Sequence, residues 1–293
     1  MPLYILIGFG YVAGKTLKAS KETVVTLLLY IILPVVTFHA IAEMELSANL
    51  LLLPVIFYLM GVLLCCIFYV IGTGIWKDST KNLLAFGAGM GNTGYFGLPL
   101  ILAVLGEKAF VIAVLLDLGT NLYQCTFGCF IAAKGNFTVR ESLIKVFRLP
   151  TIYALAAAIL WNRMGFTIPA PLEDLGMSMR GAYIVLGMML IGVALGDLKR
   201  FAFDWAYLVL AFAAKYAAWP LAAFSFVWID RHALHLFPEL AREAMLILSL
   251  TPMAGNTVSY ATELRIHPEK AAAAVLFSTL FALFFIPAVL MFF

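Results

Sequence analysis

Long apolar runs separated by short polar connections dominate the chain from beginning to end. A helix needs roughly 20 predominantly apolar residues to cross a hydrocarbon layer ~30 Å thick. The pattern predicts an all-α protein with ten spans, at about 3–20, 23–41, 49–75, 82–106, 109–133, 150–164, 177–197, 203–229, 243–264 and 270–293. The first span is weak, because Lys15 and Lys18 shorten its apolar run, and whether it crosses the full bilayer stays open.

The composition places these helices in a membrane. Hydrophobic residues make up 64% of the chain, charged residues only 12%, and the mean hydropathy is +1.01. Because soluble domains carry about 25% charged residues, we predict an integral membrane protein. The net charge of +3 comes without a long basic block, so nucleic acid is not expected as a partner. The four cysteines and four histidines show no metal-ligand spacing, and no metal site is predicted.

Lysine and arginine residues favour one side of the membrane. Most of them fall in the connections after odd-numbered spans, including Lys134, Arg140, Lys145 and Arg148 in the connection at 134–149. Positively charged loops tend to remain in the cytoplasm. The basic connections are therefore predicted to be cytoplasmic, with the protein in the cell membrane and both chain termini facing outward.

The predicted spans divide into two halves, at 1–133 and 150–293, joined by the cytoplasmic connection. Because each half holds five spans, the halves must insert in opposite orientations, the inverted-repeat arrangement of many secondary transporters. The tripeptide Gly91-Asn92-Thr93 in span 4 recurs as Gly255-Asn256-Thr257 in span 9. A repeated tripeptide alone proves little in a chain of this length, but the equivalent positions support a duplication.

Both copies of the tripeptide lie beside residues that weaken helices. Glycine lowers helix stability by about 1 kcal/mol and proline by about 3 kcal/mol, and proline also removes a main-chain donor. The helix-breaking candidates are Gly91, Gly97, Pro99 and Pro252, and span 4 is expected to open within the stretch from Gly91 to Pro99. Such an opening in a membrane is tolerated only where protein, water or a ligand satisfies the freed main-chain groups.

Two opened spans would point the N-terminal ends of their second halves at a shared space near the membrane midplane. Each such end carries roughly +0.5 of an elementary charge and free N–H groups, which suits a carboxylate. The candidate substrate-binding residues are Asn92, Thr93, Gly94, Gly255, Asn256 and Thr257. The alternative is a pair of kinks that pack closely against small residues and bind nothing.

The stretch Gly91-Asn92-Thr93-Gly94-Tyr95-Phe96-Gly97-Leu98-Pro99-Leu100 resembles the fourth-helix motif of the auxin efflux carrier family. The run Thr251-Pro252-Met253-Ala254-Gly255-Asn256-Thr257 and the helix after it resemble the last two helices of that family, and the likeness covers essentially the whole chain.

This resemblance implies two inverted five-helix repeats, divided into a scaffold and a transport domain, with helices 4 and 9 crossing. The architecture is shared with bile-acid carriers and sodium/proton antiporter-like carriers. The resemblance also implies that Asn92 and Asn256 line the substrate site. Bacterial members of the family are associated with dicarboxylates such as malate and malonate, and plant members with an indole acid.

Three polar residues inside predicted spans are candidates for a coupling or charge role. Asp117 in span 5 is a candidate proton relay, and Asn121 follows it on the same helical face. Lys215 in span 8 could attract an anion, pair with Asp117, or extend its ammonium group to the membrane surface. Asp117 and Asn121 could equally form hydrogen bonds that join helices.

The residues together predict a secondary transporter of a small organic anion, working by elevator-type alternating access. No clustered nucleophile and base is present, so an enzyme is not expected. Alternatives are a ligand sensor on the same fold and a sodium-coupled symporter similar to bile-acid carriers. No cofactor is predicted. The coupling ion, whether proton or sodium, stays open, as do uncoupled uniport and assembly into a homodimer.

Overall fold

The computed structural model describes residues 2–42, 48–133, 150–196 and 203–291. The structure is 86% helix, and the described residues contain no strand. The prediction of an all-α fold is therefore confirmed. The predicted basic connection at 134–149 lies outside the described residues.

Helices of the first half precede the gap at 134–149. They are α1 (Pro2–Thr16), α2 (Lys21–Leu27), α3 (Leu33–Ala42), α4 (Leu53–Ile75), α5 (Thr80–Ala88), α6 (Leu98–Leu105), α7 (Glu107–Tyr123) and α8 (Cys129–Ala133). Those of the second half are α9 (Pro150–Arg163), α10 (Ala170–Gly196), α11 (Trp205–Ala213), α12 (Trp219–Ile229), α13 (Glu239–Ser249), α14 (Asn256–Leu264) and α15 (Pro268–Leu290).

Six helical stretches in the described part of the chain are long and apolar enough to cross a membrane. They are Glu22–His39, Asn49–Ile75, Thr80–Leu105, Glu107–Ala133, Trp205–Leu234 and Pro268–Leu290. Large apolar side chains on these stretches are exposed, among them Val70 and Phe284. Because so much exposed apolar surface needs lipid around it, the chain is a multi-pass membrane protein. The count of ten spans and the inverted repeat stay predictions.

Prolines follow wide helical turns without ending the helices. The π-helical turns Leu28–Ile32, Thr93–Gly97 and Ala214–Ala218 lie directly before α3, α6 and α12. The second residues of these helices are Pro34, Pro99 and Pro220. Proline donates no hydrogen bond and its ring crowds the preceding turn. A wider turn makes room for the ring, so the helix continues through Pro99, and span 4 opens instead at the other end of the expected stretch, at Gly91.

Contacts between helices divide the fold into two sets. In the first set, α1 packs along α10, and α3 packs against α9 and α10; α2 continues into α3. In the second set, which contains α4–α8 and α11–α15, α4 packs against α5 and α7, and α15 packs against α11 and α14. The sets meet where α10 contacts α6 and the turn Thr93–Gly97, and where α3 contacts α7.

Polar networks tie the helices of the second set together at both ends. At one end, Lys270 Nζ donates to Thr80 Oγ1 at 3.0 Å and to Asp204 Oδ2 at 2.8 Å, which joins α15, α5 and the start of α11. At the other end, Arg242 Nε donates to the buried Oδ2 of Asp230 at 2.8 Å, which joins α13 to the segment after α12. These contacts hold the second set as one packed unit.

The contact between α1 and α10 generates a stability prediction. A methyl group on Gly192 of α10 would overlap the carbonyl oxygen of Ile7 on α1. We expect Gly192→Ala to lower the free energy of unfolding by roughly 1–3 kcal/mol, the usual cost of overpacking. Thermal unfolding of the purified protein in detergent measures the effect.

Gly181 is the matched control on the same helix, because no atom lies within 4 Å of the position its methyl group would take. Gly181→Ala should unfold at the wild-type temperature or slightly above it. Equal midpoints for the two variants would show that α1 and α10 are not in this close contact.

Candidate functional site

Two irregular segments interrupt helices of the second set and touch each other. α5 ends at Ala88, and residues 89–92 leave the helical path before the turn Thr93–Gly97. Residues 250–255 similarly separate α13 from α14. The main-chain N–H of Asn92 donates to the carbonyl oxygen of Pro252 at 2.8 Å. Main-chain groups freed by one interruption are therefore partly satisfied by the other.

The interruption in span 4 lies at the start of the stretch in which it was expected. Gly91 lies within the interruption, but Gly97 belongs to the π turn that follows. A methyl group on Gly97 would lie 2.5 Å from Leu248 Cδ2 and 3.2 Å from Thr251 Cγ2. Gly97 thus allows the two interrupted helices to approach closely and does not open its own helix.

A small cavity lies where the second halves of the interrupted helices begin. Its volume is about 30 Å³, and its lining comes from both sets of helices. The lining residues are Leu33, Gly91, Asn92, Thr93, Gly94, Tyr95, Asp117, Thr120, Asn121, Gln124, Tyr183, Ala254, Gly255 and Asn256. All but one of the candidate substrate-binding residues lie here. The exception is Thr257, whose buried side chain lies beside Gly87 of α5.

Asp117 is the centre of the polar contacts in this cavity. Its carboxylate is 5% exposed and accepts a hydrogen bond from Thr93 Oγ1 to Oδ1 at 2.5 Å. Asn121 Nδ2 donates to Oδ2 at 2.8 Å. A carboxylate taken out of water needs donors of this kind. The i,i+4 pair predicted from the sequence is thus joined by a hydrogen bond, and Thr93 adds a link to the other helix.

Other polar groups of the lining join helices across the cavity. Asn256 Nδ2 donates to Gln124 Oε1 at 3.0 Å, and Tyr183 Oη donates to the carbonyl oxygen of Gly94 at 3.1 Å. The hydroxyl groups of Tyr95 and Thr120 are buried without a hydrogen-bond partner. Tyr95, Thr120 and Tyr183 were not predicted as site residues. When a helix is apolar on all sides, its sequence does not show which face meets a cavity, so a single hydroxyl group cannot be assigned to that face.

Lys215 occupies the opposite side of the interruptions. It is 1% exposed, and its Nζ lies 4.8 Å from the ring centroid of Trp219. A methyl group on Gly91 would lie 2.6 Å from both Lys215 Nζ and Thr251 Oγ1, so the ammonium group lies beside both interruptions. Pairing with Asp117, one of the three roles open for Lys215, is not observed; within the described part of the chain, no ion pair of Lys215 is present.

The two charges match the ends of the interrupted helices. Helix C-terminal ends carry a partial negative charge, and those of α5 and α13 lie next to the segments that contact Lys215. N-terminal ends carry a partial positive charge, and the segments starting at Thr93 and Asn256 line the cavity that contains Asp117. Each charged side chain therefore offsets the dipoles that face it.

The size of the cavity limits what it holds in this conformation. A volume of about 30 Å³ accommodates one or two waters or a bare ion. A dicarboxylate has several times that volume. Binding of such an anion therefore requires the lining to move apart, and the structure has its site closed.

Most of the chain is similar in sequence to membrane transporters. Residues 1–142 match the Membrane transport protein family, and residues 181–293 match the Sodium Bile acid symporter family. An uncharacterized transporter of Methanocaldococcus jannaschii is 24% identical over 96% of this chain and 92% of its own length. A "Putative malonate transporter" of Rhizobium meliloti is 25% identical over 96% of this chain and 90% of its own length. These matches confirm the resemblance predicted from the sequence.

The two glycines of the repeated tripeptide are predicted to respond differently to substitution. Gly91→Ala would place a methyl group against Lys215 Nζ and Thr251 Oγ1, so we expect it to lower the free energy of unfolding by roughly 1–3 kcal/mol. Gly255 has ordinary right-handed helical angles, and no atom lies within 4 Å of its added methyl group. Gly255→Ala should leave stability unchanged, as measured by thermal unfolding in detergent. A larger loss for Gly255→Ala than for Gly91→Ala would contradict this arrangement.

Proposed function

We propose that this chain belongs to the auxin efflux carrier family and is a secondary carrier of a small organic carboxylate. One observation carries the proposal: two interrupted helices meet, and their second halves begin at a common cavity. Half-helices that end at a shared site inside the membrane are the usual binding arrangement of secondary transporters. Transporter names in both matched families and in the relatives agree with a role in transport rather than catalysis.

A carboxylate fits the chemistry of the cavity. The beginnings of the segments at Thr93 and Asn256 bring partial positive charge and main-chain N–H groups to the lining. The side-chain amides of Asn92 and Asn256 supply further donors once the cavity widens. Malonate is the first anion to examine, because the Rhizobium meliloti relative carries that substrate in its name. Malate and indole acids are the next.

Alternating access follows from where the cavity lies. Leu33 and Tyr183 belong to the first set of helices, and the other lining residues belong to the second. A site at the border between two packed units opens to one side or the other when one unit slides against its neighbour. We therefore assign the scaffold to the first set and the moving transport domain to the second, in an elevator-type movement.

A polar contact away from the cavity would change during that movement. Arg180 of α10 forms an ion pair with Glu107 at the start of α7, and its Nη2 donates to His39 Nδ1 of α3 at 3.1 Å. The ion pair joins the two sets of helices, because Arg180 belongs to the first set and Glu107 to the second. Sliding of the second set would break it, so the contact favours the closed conformation described here.

Sodium-coupled symport is the second candidate function. Residues 181–293, which include the interruption at 250–255, match the Sodium Bile acid symporter family. This candidate shares the site and differs in the coupling ion. Uptake measured with and without a sodium gradient separates the two.

Substitution of the asparagines tests the site. We expect Asn92→Ala and Asn256→Ala to lower malonate affinity and uptake roughly tenfold or more, because a hydrogen bond to a charged group contributes about 1.5–3 kcal/mol. The measurements are binding of radiolabelled malonate to purified protein and its uptake into proteoliposomes.

Thr257→Val is the matched control, since Thr257 belongs to the same repeated tripeptide but lies outside the lining, with its hydroxyl group unpartnered. It should bind and transport malonate as the wild type does. Wild-type behaviour of both asparagine variants would place the site elsewhere. Binding without uptake in the wild type would instead identify a sensor.

A further inference from the structure

We propose that the carboxylate binds together with one proton, which is held by Asp117, and that the hydroxyl group of Thr93 links the two binding events. The inference rests on the proposed function and adds the second transported species. It starts from a conflict: the cavity suited to an anion already contains a carboxylate.

Among the described residues that line the cavity, Asp117 is the one with a charged side chain. In the empty site, its negative charge is offset by two helix N-terminal ends. A substrate carboxylate attracted by the same ends would come next to a second negative charge, in an interior where charges are poorly screened. Two carboxylates that share such a site favour protonation of one of them. Anion binding thus draws a proton to Asp117.

The hydrogen bonds of Asp117 determine which of its two oxygen atoms takes up that proton. Asn121 Nδ2 can only donate, and it holds Oδ2 at 2.8 Å. Oδ1 faces the hydroxyl group of Thr93 at 2.5 Å, and a hydroxyl group can donate or accept. A proton added to Oδ1 therefore keeps this contact, with Asp117 donating and Thr93 Oγ1 accepting.

Reversal of that hydrogen bond releases a donor for the anion. In the ionised state, the hydroxyl hydrogen of Thr93 is committed to Asp117. After protonation it is free to turn toward the cavity, where the first turn of the interrupted helix begins. The same proton that removes the repulsive charge thus supplies a new donor to the substrate carboxylate.

Neighbouring ionisable groups leave Asp117 without a competing charge. Tyr95 of the π turn and Tyr183 of α10 line the same cavity, and both are phenols that stay neutral at physiological pH. Several ionisable groups elsewhere on the packed elements have other partners: His39 with Arg180, Arg180 with Glu107, Tyr58 with Thr126, Arg242 with Asp230 and Glu239, and Lys215 with Trp219. Lys108 near the start of α7, and Glu173 and Asp174 near the start of α10, are exposed and lie outside the lining of the cavity.

A proton suits this site better than a sodium ion. The cavity of about 30 Å³ has to widen for the anion, and a coordinated cation in the widened cavity would compete with that anion for the same space. Sodium also needs several oxygen ligands, whereas both oxygens of Asp117 are engaged by Thr93 and Asn121. A proton takes no additional space and uses a hydrogen bond that already exists.

Proton uptake on binding tests the proposal on the wild-type protein. Purified protein in weakly buffered detergent solution, at pH values where malonate and free Asp117 are both fully ionised, is titrated with malonate. We expect uptake of one proton for each malonate bound, read with a pH indicator. Over the same range, the dissociation constant should rise tenfold for each pH unit, as required when one proton binds with one anion.

Three variants test the charge of Asp117 and the hydroxyl group of Thr93 separately. Asp117→Asn should bind malonate without proton uptake and with an affinity that does not change with pH. Thr93→Val should weaken binding about tenfold, through loss of one donor, while proton uptake continues. Thr93→Ser, which keeps the hydroxyl group, should restore wild-type affinity.

The outcomes distinguish this inference from the proposed function. Malonate binding without proton uptake in the wild type overturns proton coupling but leaves the carrier in place. Binding that requires sodium at every pH overturns it in favour of a cation site. Proton uptake that persists in Asp117→Asn moves the proton to another residue and overturns the role of Asp117. Failure of the wild type to bind malonate, malate or an indole acid overturns the proposed function and this inference with it.

Discussion

The whole site depends on hydrogen bonding between its two interruptions, in which the N–H of Asn92 donates to the carbonyl oxygen of Pro252. A main-chain group that leaves its helix inside a membrane must find a partner, because hydrocarbon supplies none. Two interruptions that satisfy each other can persist where one alone could not. They therefore have to lie side by side, and this requirement brings distant parts of the chain to one place.

Mutual contact has an electrostatic consequence, since each interruption creates two helix ends of opposite polarity. The C-terminal ends lie on the side of Lys215 and the N-terminal ends on the side of Asp117. A buried charge is costly without compensation. Here each charged side chain and the helix ends that face it stabilise each other. This accounts for a buried lysine and a buried aspartate that do not pair with each other.

The all-α membrane fold and the two interrupted spans could be predicted from the sequence, because long apolar runs and the repeated Gly-Asn-Thr are visible in the sequence itself. The exact place of the interruption could not. Pro99 looked decisive, yet a π turn accommodates its ring, and Gly91 opens the chain beside Lys215 instead. The places of Tyr183, which lines the cavity, and of Thr257, whose buried side chain faces Gly87 instead, were also beyond prediction, since the side of a helix that meets another element depends on tertiary packing.

Charge balance at the crossing also bears on movement. An empty site with ionised Asp117 carries one negative charge against the two helix N-terminal ends. With Asp117 protonated, a site loaded with a singly charged carboxylate carries the same charge in nearly the same place, and a site loaded with doubly charged malonate carries one negative charge more. Because the cost of moving the site past the first set of helices depends on that charge, the proton brings the electrostatic barrier of the loaded form closer to that of the empty form. A site holding the anion without its proton carries an additional unbalanced charge, which gives a physical reason for the two to travel together.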